Sequence, residues 1–124
     1  MPNRVRRIVV FPRYTPFVGT TPVYSAPADV RDFSGGIFVG WQGTGLGLSP
    51  ASVEFTLEVS QDLENWFAST VISPAANTEE AGDVEFPYAW MRWKAVPSGT
   101  DPGVTGWLVG DIVLREGAGE AGAA

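Results

Sequence analysis

The stretch that most constrains the fold is residues 52–72, SVEFTLEVSQDLENWFASTVI. Within it, residues 53–59 alternate strictly. Val53, Phe55, Leu57 and Val59 leave one face; Glu54, Thr56, Glu58 and Ser60 leave the other. Period two marks a half-buried strand, because successive side chains emerge on opposite sides of the pleat. Residues 61–65 are polar and turn-forming, and residues 66–72 resume with the aromatic and β-branched types that strands favour. A lone hairpin is marginal in water, so this one requires a second apolar layer over its buried face.

The rest of the chain offers that layer as further strands. Residues 29–41 read as one, with a turn or bulge at Gly35-Gly36. Residues 86–96, FPYAWMRWKAV, read as another. There Tyr88, Trp90, Arg92 and Lys94 share one face, and Ala89, Met91, Trp93 and Ala95 share the other. Trp90 and Trp93 have opposite parity, so both cannot face the core. Trp90 keeps company with two cations and is the one expected outside, with Tyr88 beside it. Residues 107–115 form the last strand, with a bulge or close backbone contact at Gly110. The segments between, residues 43–50, 73–83 and 97–106, are Gly/Pro-rich or acidic and read as loops. Fifteen glycines and ten prolines argue against a helical protein. Six to eight short strands without a helix indicate an all-β fold, an antiparallel β-sandwich of jelly-roll-like kind.

Residues 1–28 differ in character. They hold Arg4, Arg6, Arg7 and Arg13 and no acid, a charge of +4. Against the chain's net −6, that leaves −10 for residues 29–124. Five prolines break the segment, yet Phe11, Tyr14, Phe17 and Tyr24 are too apolar for a plain disordered tail. The organisation expected is an extended basic arm over 1–28, a sandwich over 29–116 and a frayed tail over 117–124. Such an arm packs along its own domain or lies on a neighbour. If on a neighbour, Arg4, Arg6, Arg7, Phe11, Arg13, Tyr14 and Phe17 are the contact residues. Deleting residues 2–13 would then remove docking and leave the sandwich folded.

Little in the chain supports catalysis. There is no cysteine and no histidine, and Lys94 is the only lysine. The commonest general base, thiolate nucleophiles and the usual transition-metal ligands are therefore missing. No enzyme, cofactor or metal is expected. The acids Glu58, Asp62 and Glu64 cluster in or beside a hairpin turn, where carboxylates ordinarily solubilise the loop. The turn also lacks the loop length and glycine of an EF-hand calcium site. The glycines of residues 43–47, GTGLG, lead into a strand and open no helix, so they do not cradle phosphate. An acidic body argues against nucleic acid, and no apolar run approaches the roughly 20 residues of a membrane span. The basic N-terminus has too short an apolar run for a signal peptide, so synthesis in a cytoplasm is expected.

The order of these segments carries a resemblance. Val59-Ser60-x-Asp62-x-x-x-Trp66 between two strands, followed by Tyr88-x-Trp90-x-Arg92-x-x-x-Val96, resembles small β-sandwich virion proteins of tailed bacteriophages, among them capsid decoration (cement) proteins. The likeness spans roughly residues 29–115. A related signature, Ser-x-Asp-Gly-x-x-Trp, is found in discoidin-like and carbohydrate-binding sandwiches; this chain has Leu63-Glu64 where that glycine falls. The phage resemblance implies a non-enzymatic structural protein on the capsid surface, made in the host bacterial cytoplasm. Its partner would be the major capsid protein, and it would be a homo-oligomer, with a trimer favoured. The alternatives are a carbohydrate-binding or adhesion module presenting Tyr88 and Trp90, or a head–tail or tail component.

Overall fold

In the computed structural model, residues 5–19, 21–43, 51–99 and 103–115 are described. They form β1 (Val5–Val18), β2 (Val23–Tyr24), β3 (Ala28–Asp29), β4 (Phe33–Gln42), β5 (Ala51–Ser60), β6 (Trp66–Ile72), β7 (Thr78–Glu85), β8 (Trp90–Gly99) and β9 (Gly103–Leu114). The antiparallel pairings nest about one turn. β5 pairs with β6 across residues 61–65; β4 pairs with β7, β2 and β3 both pair with β8, and β1 pairs with β9. The chain is thus a long double ribbon folded back at the hairpin turn and rolled up. Rolling brings β4 against β9 and β5 against β8. Two sheets result, β1-β9-β4-β7 and β2-β8-β5-β6, with β3 beside β2 on the free side of β8. Counting β2 and β3 as one strand broken near Pro27, this is the eight-position jelly roll.

The alternation in β5 does what it predicts on the inner side. Val53, Phe55, Leu57 and Val59 are all buried. They meet Phe38, Leu108 and Ile112 of the opposite sheet and Met91, Trp93 and Ala95 of β8 in one core. Phe55 lies tilted against Phe11 and edge-on to Phe17, with ring centroids 5.9 Å away in both cases. Phe38 lies 4.9 Å from Trp93. Gly110 is a close backbone contact and not a bulge: a Cβ there would stand against the Phe38 ring. The bulge of β4 falls between Phe33 and Gly35, just ahead of the glycine pair.

Four expectations need correction. Residues 1–28 are not an arm outside the sandwich, at least from Val5 onward. β1 is an edge strand of the first sheet, and β2 and β3 cross to the second. Edge strands tolerate the prolines and bulges that β1 carries, because their outer amides need no partner. Residues 73–83 are not simply a loop, since β7 begins at Thr78. It is mostly exposed, so no apolar alternation marks it, and pairing with β4 holds it. The loop expected over 97–106 is shorter, because β8 runs to Gly99 and β9 starts at Gly103. Finally, β8 starts at Trp90, so residues 86–89 precede the strand. The glycines at 45 and 47 and the tail 117–124 lie outside the described residues.

Candidate interaction surface

Three features outside the core gather the remaining chemistry: the hairpin turn and the outer faces of the two sheets. The turn is closed by two short side chains. Ser60 Oγ accepts the amides of Asp62 (3.2 Å) and Leu63 (2.9 Å). Asp62 Oδ1 accepts those of Glu64 and Asn65, each at 2.9 Å. Asn65 Nδ2 donates to Asp62 Oδ2, and Trp66 Nε1 donates to the Leu63 carbonyl. These bonds, led by the Asn65 and Glu64 amides, hold the Asp62 carboxyl well below the usual carboxylate range. Oxygens engaged in this way are not an open calcium site. Glu58 points elsewhere, so the acids of this region form no catalytic pair. No group of three potential metal ligands is placed together among the described residues.

On the outer face of the second sheet, Glu58 is paired with Arg92 at 2.7 Å and with Lys94 at 3.7 Å. The Arg92 guanidinium lies between the rings of Tyr24 and Trp66, 4.3 Å from each centroid. β2, β8, β5 and β6 are thereby tied across the whole sheet, which is why Thr56, Glu58 and Ser60 are buried despite their outward parity. Trp90 faces outward and is half-buried. Arg31 lies over it at 5.8 Å and is also held by Asp29. Tyr88, 37% exposed, leans on Phe67, 55% exposed, at 6.1 Å.

The outer face of the first sheet is different in kind. Cross-strand register arranges it in rows. Val5, Val113, Gly35 and Glu85 form one; Arg7, Asp111, Ile37 and Asp83 the next; Val9, Val109, Val39 and Ala81 the third; Trp107, Trp41 and Glu79 the fourth. Val9 is 57% exposed and Ile37 52%, while Val39 and Val109 are half-buried only by their neighbours. Arg7 donates both Nε and Nη2 to Asp111 at 3.0 Å. The hydrogen bond from Arg7 holds the Asp111 carboxyl below its usual range. In the fourth row Trp41 and Trp107 stack at 6.5 Å and 10°. β1 bulges beside them, with residues 12–14 opposite the single Trp107. That bulge sets Arg13 over the Trp107 ring at 4.8 Å and Tyr14 edge-on to Trp41 at 6.1 Å. Tyr14 takes a left-handed φ of 63° and is 65% exposed.

The sequence-predicted contact residues therefore divide. Arg7, Arg13 and Tyr14 stand on this outer face. Arg6 is exposed on the β1 edge, over Phe33 at 5.6 Å. Phe11 (6% exposed) and Phe17 (1%) are core residues, not partner contacts. They meet edge to face at 5.4 Å beneath β1, because the register shifts between Val9 and Phe11 and between Phe11 and Thr15 bring them opposite the inward-facing Leu108 and Val104. Arg4 lies outside the described residues. Sequence reasoning missed the Trp41–Trp107 pair, since the two stand 66 residues apart and only register joins them. An open cleft of about 580 Å³ lies at the end of this sheet among Gly35, Gly36, Glu85, Phe86 and Arg115.

No protein-family model matches the sequence, and no curated protein is similar to it. The fold has relatives among solved structures. The chain aligns with the VP2 subviral particle of infectious bursal disease virus at a TM-score of 0.65 and 10% identity, covering 92% of this chain and 33% of that one. It aligns with the Gt strain of the same virus at 0.53 and 13%, over 92% and 33%. The SPBc2 prophage-derived protein YomS aligns at 0.47 and 12%, over 88% and 92%. This chain thus spans about a third of the viral chains it matches. At such identities the likeness is one of fold alone.

Proposed function

We propose that the protein is a non-enzymatic structural component of a tailed-phage particle, of the capsid decoration kind. It would bind the outer shell in many copies and reinforce it by repeated weak contacts, which add up through avidity. The observation that carries this reading is the outer face of the first sheet. Exposed Val9 and Ile37, set among Arg7, Arg13, Tyr14 and Trp41, have the composition of a protein contact surface, rich in aromatic residues and arginine. The fold agrees with a shell-associated role without requiring it. Contact with an acidic shell would fall to the basic edge of β1, where Arg6 is exposed and Arg4 precedes it. A sugar-stacking role for Trp90 is less favoured, because Arg31 already occupies one face of that ring.

The test is copy number. Particles purified on a density gradient should contain this chain at a fixed whole-number ratio to the most abundant shell protein. Reversing charge at both Arg4→Glu and Arg6→Glu should strip it from the particle while its circular dichroism is unchanged. Absence from purified particles would sink the reading.

A further inference from the structure

We infer that the outer face of the first sheet is a self-association surface, and that two copies pack it face to face about a two-fold axis running parallel to the strands. The charge layout selects this arrangement. The basic strand β1 and the acidic strand β7 are opposite edges of the one sheet. Glu79, Asp83 and Glu85 share its outer face with Arg7 and Arg13. A two-fold along the strands inverts strand order and keeps each row level. Arg7 then faces Asp83 of the second copy, and Arg13 faces Glu79. In the row between, Val9 meets Ala81 and Val109 meets Val39. A two-fold across the strands would set β1 on β1, arginine against arginine. The apolar third row and the aromatic fourth row thus bury against their like, while the second row sets the Arg7–Asp111 pair against Asp83 and Ile37 of the second copy. Sheets stacked in this way sit about 10 Å apart.

The size of the surface sets its strength. Four strands about 4.8 Å apart, over six residues of about 3.4 Å, present roughly 400 Å² per copy. That is the low end for specific association, so the dimer is weak and concentration-dependent. In such a dimer the second copy covers the face otherwise offered to the shell, which leaves the β1 edge with exposed Arg6 for shell contact; sedimentation of the isolated chain tests the dimer whatever the particle assay gives.

The experiment is sedimentation velocity on the purified full chain from about 1 µM to about 500 µM, at low and high salt. A monomer–dimer shift that Val39→Glu abolishes is expected. Arg13→Glu should weaken it at least tenfold, and adding Glu79→Arg to that variant should restore it, because the rims again carry opposite signs. Glu79 is exposed on an edge strand, so Glu79→Arg alone provides a folded variant that should also weaken the dimer. A monomer at every concentration overturns the inference, as does an assembly that none of these variants weakens.

Discussion

Leu63 shows how one residue departs from the motif that surrounds it. It occupies the glycine place of the Ser-x-Asp-Gly-x-x-Trp turn and has a φ of 66°. Leucine in the left-handed region costs roughly 1–2 kcal/mol, and glycine adds back about 0.5–1 kcal/mol in unfolded-state entropy. Leu63→Gly should therefore stabilise the protein by about 0.5–1 kcal/mol, read from the midpoint of denaturant unfolding. A neighbouring effect depends on pH. The Asp62 carboxyl is held below its ordinary value in the folded state. Its contribution is therefore complete above the unfolded value, roughly 4, and is lost as pH falls toward the folded one. The stability difference between wild type and Asp62→Asn should be flat above about pH 5 and shrink in stronger acid. Trp93 presents another case. It is fully buried, and its indole N–H has no partner among the described residues. Trp93→Phe removes that orphan along with some packing, so it should cost well under the roughly 3–5 kcal/mol expected of Trp93→Ala in thermal or chemical unfolding.

At the scale of elements, Gln42 joins three of them. Its Oε1 accepts the Val53 amide of β5 at 2.8 Å, and its Nε2 donates to the Pro74 carbonyl in the β6–β7 connection. The Gln42 carbonyl also accepts the Asn77 amide at 2.7 Å. The side chain is 5% exposed, so Gln42→Leu leaves a buried donor and a buried acceptor unmet. A loss of about 2–4 kcal/mol is expected in chemical denaturation. Nothing in the sequence marks this glutamine, because its partners stand 11 and 32 residues away. The hairpin that joins β5 to β6, in contrast, was legible. Alternation, a Ser-Asp turn and a following tryptophan are all local signals. β7 was not, because an exposed edge strand draws its stability from the neighbour it pairs with and leaves no apolar imprint of its own.

For the whole molecule, the sharpest consequence concerns the N-terminus. β1 pairs along the length of β9 and places Phe11 and Phe17 in the core. Deleting residues 2–13 should therefore abolish cooperative unfolding or lower stability by several kcal/mol, rather than yield a folded sandwich without its arm. A folded, fully stable truncation product would contradict the role of β1. The same closure explains the rolled ribbon. The outermost pair, Val5 with Val113, joins residues near the two ends of the chain, and each inner pair shortens the loop until the turn at residues 61–65.

By itself the sequence determined that the chain is all-β, that residues 52–72 are a hairpin, which side of β5 and β8 is buried, and that Trp90 rather than Trp93 faces out. Those follow from parity and turn chemistry, which act over a few residues. Only the tertiary structure decided that the basic segment is an edge strand, that Phe11 and Phe17 belong to the core, and that Trp41 and Trp107 stand side by side under Arg13. Each of those depends on cross-strand register, and register between segments as far apart as β1 and β9 is set by how the whole ribbon rolls.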